Sequence, residues 1–279
     1  MRVVCVGLLA ACYAPHASPG APCSTDGTCP ASLMCLDNRC VAPGTLPIDA
    51  PRDVAPADVP LDVAAAPHDA PPDAFVDVTL IAHWDFDDSP TDGALDSTGH
   101  GHTGACEAAC PTLVAGKLGM AYHFDAARAE ALTVPDSSTF RGNVTISAWI
   151  YAETTGTGGA ILSKPVSTGT DNSWQLEQLD TGQVSFSGGT VHYLDSPAVV
   201  TANAWHHVAG TWDGTTKKLY VDGTMVASVA ATLSYDTHVI YLGADNNNGT
   251  TVLYWTGSID DVRVYNRVLT DTEIAALGQ

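Results

Sequence analysis

The sequence predicts an all-β fold over residues 77–279, a two-sheet antiparallel sandwich that ends in a short helix. Three observations indicate this class. Roughly a dozen short segments alternate apolar and polar residues with the period of two that strands show. Gly, Asn and Asp residues separate these segments, as is typical of turns between antiparallel strands. Thr270-Asp271-Thr272-Glu273 is a capping box, which predicts a helix over residues 271–277.

The central predicted element is a β-hairpin within residues 204–223. Residues 205–212 alternate as a strand does, and Asp213-Gly214 is a tight-turn dipeptide because glycine accepts a positive φ. Residues 219–221 resume the strand, and Asp222-Gly223 turns the chain again into residues 225–229. Two Asp-Gly turns about ten residues apart predict an antiparallel meander.

The same alternation predicts strands on both sides of this meander. In residues 79–87, Leu80, Ala82, Trp84 and Phe86 fall on one face of the first strand. The other predicted strands are 121–124, 131–134, 144–151, 160–164, 173–179, 183–187, 239–242 and 253–265.

The charge balance restricts the classes of partner. The 279-residue chain carries 31 acidic and 11 basic residues, a formal net charge of −20. This charge excludes nucleic acid, whose phosphates it would repel. It is compatible with a calcium-rich extracellular setting, although an acidic surface that serves solubility is the better explanation. No apolar run reaches the ~20 residues that a bilayer-spanning helix needs.

Residues 1–12 predict an export signal, and residues 13–22 a short tether. Leu9-Ala10-Ala11-Cys12 resembles a bacterial lipobox, in which Cys12 would be lipidated and anchor the chain in the cell envelope, most simply in the outer membrane. The alternatives are an ordinary secretion signal with an incidental Cys12, or a misplaced start codon. With either a lipobox or an ordinary secretion signal, the protein is exported.

The cysteines that follow the signal predict disulfides, since an exported chain meets an oxidising compartment. They are Cys23, Cys29, Cys35, Cys40, Cys106 and Cys110. The first four lie in a segment, 23–40, that is too short to bury a core, so two disulfides in any of three pairings would hold it together. Zinc is a weaker explanation because Cys-x2-Cys spacing is absent. The last two cysteines predict a small loop-closing disulfide rather than two free thiols.

Residues 41–76 predict a disordered stalk. Pro, Ala and Asp dominate this segment, and aromatic residues are nearly absent. Such a composition buries too little apolar surface to offset the entropy of ordering. At ~3.1 Å per residue in the polyproline conformation, the stalk could reach roughly 110 Å.

Several ordered motifs carry a resemblance to a known family. Residues 205–214 are Trp-His-His-Val-Ala-Gly-Thr-Trp-Asp-Gly, and residues 219–223 are Leu-Tyr-Val-Asp-Gly. With 80–88, 96–104 and 259–269, they resemble the laminin-G-like jelly-roll family, the concanavalin A-like lectin/glucanase fold. The resemblance implies a jelly-roll sandwich with Trp149, Trp205 and Trp212 in its framework. It leaves function open, because this fold hosts lectins, hydrolases and adhesion modules.

The catalytic pattern of the fold's glucanases is not found. In those enzymes the catalytic carboxylates lie on one strand with the pattern Glu-x-Asp-x-(x)-Glu, so that alternate side chains face the same cleft. The glutamates of this chain lie outside that pattern: Glu107, Glu130, Glu153, Glu177 and Glu273. His206 and His207 are adjacent on a strand, point to opposite faces and are expected to be framework residues. We therefore expect no enzymatic activity.

Calcium is the one cofactor that the resemblance implies. The family's site joins the opening strand, the Gly-rich loop and the closing strand, where Asp87, Asp96, Asp260 and Asp261 match, with backbone carbonyls near 99–102. Such an ion would be structural. Alternatively, the first two aspartates cap their own turns, and one of the last two pairs with Arg263 or Arg267.

A sugar site needs an exposed aromatic ring surrounded by amides and acids. The candidates outside the family motifs are Trp174, His192, Tyr193, Asp245, Asn246, Asn247, Asn248 and Tyr254. The strongest of these is the amide-rich loop 245–249.

The combined prediction is a non-catalytic protein, secreted or anchored at the bacterial surface, whose lectin-like domain binds an extracellular glycan or a surface protein. A glycan-processing enzyme with an unrecognised site and a ligand-free structural spacer are the alternatives. An aromatic-lined groove without paired carboxylates would favour binding, whereas two carboxylates in one groove would favour catalysis.

Overall fold

The computed structural model describes residues 34–36, 39–41, 77–166, 171–191 and 193–279. The chain divides into two units, Met1–Asp69 and Ala70–Gln279. In the first unit, β1 (Met34–Leu36) pairs antiparallel with β2 (Arg39–Val41). The predicted lipidation of Cys12, the pairing of the first four cysteines and the stalk beyond residue 41 lie outside what the structure describes and stay predictions.

The second unit is built of short strands. In chain order they are β3 (Leu80–Trp84), β4 (Ala105–Cys106), β5 (Thr112–Ala115), β6 (Met120–Phe124), β7 (Leu132–Val134), β8 (Val144–Ala152), β9 (Gly159–Pro165), β10 (Asn172–Gln178), β11 (Gln183–Ser187), β12 (Asp195–Val199), β13 (Trp205–Trp212), β14 (Thr216–Val221), β15 (Thr224–Ala230), β16 (Ile240–Leu242), β17 (Asp245–Asn247), β18 (Thr250–Val252) and β19 (Gly257–Tyr265). Short 3-10 helices cover Pro90–Asp92, Ala126–Arg128 and Ser138–Phe140. Helix α1 (Asp271–Leu277) follows the last strand.

Among the described residues of this unit, two large antiparallel sheets form the predicted sandwich. One sheet has the strand order β12-β11-β10-β9-β16-β7-β4, and the other has the order β15-β14-β13-β8-β19-β6-β5, with β3 paired to β19. The hairpin β17–β18 forms a small separate ribbon. The predicted fold class is therefore confirmed.

The core lies between the two sheets and takes alternate residues from each strand. Ile146, Ala148 and Ile150 of β8 belong to it, as the period-two pattern predicts. The framework tryptophans differ among themselves: Trp149 and Trp212 are buried, whereas Trp205 is only partly buried beside Tyr151. The alternation thus identifies the core strands, but it does not predict how deeply each tryptophan ring is buried.

The predicted meander is present as β13, β14 and β15, which pair in sequence order. At the second turn Asp222 and Gly223 have φ values of 48° and 74°, the left-handed conformation that a two-residue hairpin turn requires. At the first turn the Asp213 carboxylate accepts from the backbone N–H groups of Thr215 and Thr216, at 2.9 and 2.8 Å. β14 therefore begins three residues earlier than its apolar pattern predicts.

The predicted strand over residues 253–265 is wrong in its first part. The chain leaves strand conformation at 253–256, and β19 begins at Gly257. Leu253 has a φ of 50° and Gly257 a φ of 137°, and a Cβ on Gly257 would lie 2.2 Å from the Tyr151 carbonyl oxygen. The close approach of β8 therefore requires glycine at the point where the chain returns to strand conformation.

Several observed strands were not predicted. The edge strands β5 and β12 are largely exposed, and β12 contains Pro197, which only an edge or irregular position accepts. Residues 245–249, expected to be a loop, form most of the hairpin β17–β18. Asn and Asp disfavour strands locally, so packing against the sheet overrides propensity here.

The chain terminus and the local disulfide agree with the predictions. Thr270 Oγ1 accepts from the Glu273 N–H, and Glu273 Oε2 accepts from the Thr270 N–H at 2.7 Å, which completes the capping box. Ile274 then packs against Tyr220 and the closing strand. Cys106 and Cys110 form the predicted disulfide. Among the described residues, no helix combines the length and apolarity needed for a membrane span.

Candidate ligand-binding cleft

The outer face of β10 and β11 on the seven-stranded sheet is polar. Trp174 and Leu176 of β10 point into the core, so Gln175 and Glu177 point to the opposite face. In the antiparallel register, Gln175 lies opposite Ser187. This outer face is nevertheless buried, because loops and the hairpin β17–β18 cover it.

Hydrogen bonds hold the hairpin over the sheet. The Ser163 hydroxyl of β9 donates to the Ala244 carbonyl at 3.0 Å, just before β17 begins. Asn172 Nδ2 at the start of β10 donates to Asp245 Oδ2 at 3.2 Å and to Gln175 Oε1 at 2.7 Å. These contacts bring β17 beside β10, although the two strands are distant in sequence.

Between these elements lies an open cleft with a volume of about 120 Å³. Its walls are formed by Asn172, Gln175, Glu177, Ser187, Gly188, Tyr193, Asp245, Asn247 and Leu253. Two of these side chains, Tyr193 and Leu253, are large and exposed, at 60% and 46%. They give the rim an aromatic and an apolar surface, whereas the floor is polar.

Several buried polar atoms of the floor lack a hydrogen-bond partner. They are Asn172 Oδ1, Glu177 Oε1, Asp245 Oδ1, Asn247 Oδ1 and Gln175 Nε2. The amide orientations follow from the network, because Asn172 Nδ2 and the Ser187 hydroxyl both donate to Gln175 Oε1. A buried polar group without a partner costs about 1–3 kcal/mol, so these atoms are available to hydrogen-bond a ligand or ordered water.

The electrostatics of the cleft are acidic. Burial raises the pKa of Glu177 to about 7, and the nearby charges of Asp245 and Asp195 add to this shift. Burial likewise raises the pKa of the Asp245 carboxyl above its ordinary value. The pKa of the Tyr193 phenol is also raised, first by the charge of Glu177, which indicates that the rim tyrosine lies near this carboxylate. No described lining residue is basic.

A buried lysine fixes the loop that forms one wall. Lys217 Nζ donates to the carbonyls of Phe186, Gly188 and Val191 at 3.0, 2.9 and 2.6 Å. Burial lowers the pKa of this ammonium to about 8. Because its three donors are used by the backbone, Lys217 holds the 186–191 segment in place and does not face the cleft as a free cation.

Gly188 allows the wall to approach the floor closely. Its φ is 111°, and a Cβ there would lie 2.7 Å from the Asn172 carbonyl oxygen and 2.8 Å from that of Ser173. Both distances are shorter than any ordinary contact. Glycine is therefore required at this position by backbone geometry and by space together.

The structure places the sequence-predicted ligand residues in different environments. Tyr193, Asp245 and Asn247 line the cleft. Asn246 serves the hairpin itself, since its Nδ2 donates to the Tyr241 hydroxyl and its Oδ1 accepts from the Gly249 N–H. The remaining two described candidates lie elsewhere: Asn248 is exposed at the turn and Tyr254 packs beside Ala131, Tyr241 and Ala244. His192 lies outside the described residues.

The prediction that Trp174 contacts a ligand is wrong. Its side chain is 0% exposed and belongs to the core between the sheets, so it offers no ring face to a sugar. The residues on the other face of the same strand, Gln175 and Glu177, line the cleft instead. Period-two alternation separates the two faces but does not say which one lines a cleft. The detectable signal was a strand with Gln175 and Glu177 on one face and Trp174 and Leu176 on the other.

Two of the four predicted calcium ligands are already satisfied by protein donors. Asp96 accepts from the backbone N–H groups of His83, Thr98 and His102. Asp261 Oδ1 lies 2.6 Å from His83 Nε2 and accepts from Arg263 at 2.9 Å. The turn-capping and arginine-pairing alternatives therefore describe these two residues.

Asp87 and Asp260 both accept hydrogen bonds from the turn between β5 and β6. Asp87 Oδ1 accepts from the Met120 N–H at 2.7 Å, and Asp260 Oδ2 accepts from the N–H groups of Lys117 and Leu118 at 2.8 Å. Asp260 is fully buried and its Oδ1 has no partner, so this carboxylate fits a cation ligand. The described residues contain no cluster of three or more His, Cys, Asp or Glu side chains suited to a metal. Calcium thus stays a prediction centred on these two aspartates.

Comparisons with known proteins agree with this architecture. A family model described as the concanavalin A-like lectin/glucanases superfamily, Laminin_G_3, matches residues 126–275. The comparison with curated proteins found no match.

Solved structures with the same fold include carbohydrate-active and toxin proteins. Domain 4 of AbnA, an extracellular arabinanase from Geobacillus stearothermophilus solved with arabinotriose, is 20% identical, with a TM-score of 0.58 over 72% of this chain and 98% of that one. The binding domain of Paraclostridial Mosquitocidal Protein 1 is 15% identical, with a TM-score of 0.57 over 72% of this chain and 52% of that one. A Trypanosoma rangeli sialidase is 16% identical, with a TM-score of 0.54 over 72% of this chain and 32% of that one. At these identities the similarity shows the fold alone.

Proposed function

The chain belongs to the concanavalin A-like lectin/glucanases superfamily, and from this premise we propose that its sandwich is a non-catalytic module that binds a carbohydrate in the cleft between β10, β11 and β17. One observation carries the proposal: buried acceptor oxygens without partners line a cleft whose rim is an exposed tyrosine. Sugar hydroxyls donate to such oxygens, and a sugar CH face packs on an aromatic ring. The arabinanase domain solved with a trisaccharide supports a saccharide over a protein ligand.

The proposed setting is extracellular. Export through residues 1–12, an anchor at Cys12 and a stalk over 41–76 would present the module at the cell envelope. Replacing Cys12→Ser tests the anchor, because the variant should leave the membrane fraction while the unmodified chain stays in it. Retention of the variant in membranes would refute the anchor and leave secretion to be tested separately.

A glycan-array screen with the full chain tests the binding proposal. We expect selective saccharide binding that Tyr193→Ala weakens about threefold to tenfold, since a ring contact contributes about 0.5–1.5 kcal/mol. The melting temperature should stay unchanged because Tyr193 is mostly exposed.

The matched control is Met225→Ala, which removes a similarly exposed apolar side chain from β15 on the other sheet. It should leave saccharide binding intact. Silence across the array would contradict the proposal, and equal losses in both variants would place the site outside the cleft.

One observation favours a second candidate, hydrolysis of a glycosidic bond. Glu177 and Asp245 are two carboxylates in one cleft, supplied by different strands rather than by the single-strand pattern of the fold's glucanases. A glycosidase needs such a pair, with one member kept protonated near neutral pH as the general acid. The raised pKa of Glu177 suits that role.

Reducing-end release from a panel of polysaccharides separates the two candidates. Binding without release is expected from a non-catalytic module. Release that Glu177→Gln abolishes, while binding persists, would replace the binding proposal with catalysis.

A further inference from the structure

The floor of the cleft has an excess of hydrogen-bond acceptors. Four unpartnered buried oxygens belong to Asn172, Glu177, Asp245 and Asn247, against one unpartnered donor, Gln175 Nε2. Glu177 and Asp245 are 6% and 1% exposed, so bulk water does little to solvate these carboxylates. A ligand that fills this floor must therefore bring more N–H or O–H donors than acceptors.

The floor also has an excess of negative charge. Glu177 comes from β10 and Asp245 from β17, and Asp195 of β12 adds its field to both Glu177 and Tyr193. The buried cation Lys217 donates to three backbone carbonyls and is not among the lining residues. An anionic sugar, such as a uronic or sialic acid, would meet uncompensated carboxylates here.

A primary ammonium group meets both requirements. It carries three N–H donors, no acceptor and a positive charge. Its hydrogen bonds to carboxylates are charge-assisted and stronger than those of a neutral hydroxyl. A divalent metal would also supply charge, but a bare ion has no apolar body for the exposed rim residues Tyr193 and Leu253 to contact. A neutral hydroxyl would leave the buried carboxylate charge without a counter-charge.

We propose that the cleft recognises the protonated amino group of an amino-sugar saccharide, with the ammonium held by Glu177, Asp245 and Asn172 and the sugar ring against Tyr193. This assignment rests on the proposed function, which it narrows from saccharides in general to basic ones. The exposed rim residues Tyr193 and Leu253 give the uncharged part of the ring its contact surface.

Proton linkage supplies an independent signature. In the unliganded cleft, burial raises the pKa of Glu177 to about 7, the charges of Asp245 and Asp195 add to this shift, and the Tyr193 phenol lies near the same carboxylate. An ammonium favours the ionised carboxylate, so binding releases the Glu177 proton and strengthens as pH rises through about 7. A sugar amine of roughly α-amino basicity loses its own proton near pH 8. Affinity should therefore peak between these two values.

The test is isothermal titration calorimetry of the full chain with three tetrasaccharides at pH 7.5, a value chosen between the two titrations. They are β-1,4-linked glucosamine, its N-acetylated counterpart and galacturonic acid. We expect the glucosamine tetrasaccharide to bind at least about tenfold more tightly than the N-acetylated one, because charged hydrogen bonds exceed neutral ones. Raising the ionic strength from about 0.05 to about 0.5 M should narrow this difference. Galacturonate should not bind.

The near-isosteric variant Glu177→Gln tests the assigned contact. It should weaken glucosamine binding at least about tenfold and remove the rise of affinity through pH 7, with a smaller loss of affinity for the N-acetylated sugar. Glu153→Gln is the matched control, since Glu153 is 46% exposed, pairs with His123 and does not line the cleft. A melt of each variant checks folding.

The outcomes separate this inference from the proposed function. Equal or tighter binding of the N-acetylated sugar, or an unchanged affinity in Glu177→Gln, overturns amine recognition while saccharide binding stands. Absence of binding by all three sugars, together with a silent glycan array, overturns both. A tetralysine peptide that binds more tightly than glucosamine, and loses binding in Glu177→Gln, would keep the ammonium site but overturn the saccharide as its source.

Discussion

Glu177 is a buried carboxylate that lines the proposed binding cleft. Its carboxylate lies on a strand whose other face packs the core, and one of its oxygens has no partner. Keeping such a group in the fold works against stability whenever it is ionised. A site of this kind exchanges some stability for a prepared contact with ligand.

The pH dependence of stability should reveal this cost. The folded pKa of Glu177, about 7, lies above its ordinary 4.5, so the folded state holds the proton more firmly than the unfolded state. The associated stability is fully present below pH 4.5 and is lost as pH rises through about 7. At about 1.4 kcal/mol per pKa unit, the loss is on the order of 3 kcal/mol.

Glu177→Gln removes the titration, so the variant should be more stable than the unmodified chain at pH 8 by on the order of 1–3 kcal/mol, and similar at pH 4. Urea denaturation at both pH values measures the difference. The exposed Glu153→Gln control should change stability by less than about 1 kcal/mol at either pH, since surface ion pairs contribute little. A variant that loses stability at pH 8 would show that the Glu177 carboxylate holds the floor together.

At the scale of elements, the cleft depends on two segments that are held against β10. The loop after β11 is tied by Lys217 and passes close to β10 at Gly188, and the hairpin β17–β18 is tied through Asn172 and Asp245. Neither segment carries a continuous apolar pattern. Their positions come from specific polar contacts rather than from core packing.

Gly188→Ala tests the close approach of the loop. The added Cβ would meet two backbone oxygens, so we expect a loss of about 2–4 kcal/mol, the sum of positive-φ strain and overpacking. Gly142→Ala is the matched control, because Gly142 also has a positive φ, 89°, but no atom lies within 4 Å of the added Cβ. The control should lose only about 1–2 kcal/mol.

Thermal and urea unfolding measure both glycine variants, and saccharide titration follows the cleft. Gly188→Ala should also weaken binding, since its loop forms a wall. Equal losses in the two variants would show that strain alone, and not the approach to β10, sets the cost.

At the scale of the whole molecule, a calcium ion at the junction of the closing strand with the β5–β6 turn would stabilise the sandwich. Asp260 of β19 and Asp87 after β3 both hold this turn, and Asp260 Oδ1 is buried without a partner. A bound calcium ion would join the beginning and the end of the sandwich across that turn. Its role would be structural, separate from the cleft.

Removal of calcium should therefore lower the melting temperature of the full chain. An ion present at about a hundred times its dissociation constant stabilises by about 2.7 kcal/mol, which for a domain of this size is roughly 5 °C or more. Melts in excess calcium and in EDTA measure the shift. Asp260→Asn should abolish the difference between the two conditions. An EDTA response that is absent from the unmodified chain would remove the site.

Local features of the fold could be predicted because they depend on residues that are close in sequence. The turn at Asp222-Gly223 requires positive φ values that these residues accept, and the Thr270–Glu273 capping box satisfies its own helix end. The failures arise where distant segments meet. The chain leaves strand conformation before Gly257, where the Tyr151 carbonyl leaves no room for a side chain, and the hairpin at Asp245 forms against its local propensity.

The candidate site likewise combines residues that the sequence predicts with residues that only tertiary packing brings together. The sequence alone determined that this is an antiparallel sandwich of the lectin-like superfamily, and it identified Tyr193, Asp245 and Asn247 as ligand candidates. Only the tertiary structure decided that the outer face of β10 lines the cleft, which excludes Trp174 and brings in Glu177. It also decided that Glu177 and Asp245 share one cleft. The physical reason is that alternation along a strand sets which side chains share a face, whereas packing between elements sets what that face meets.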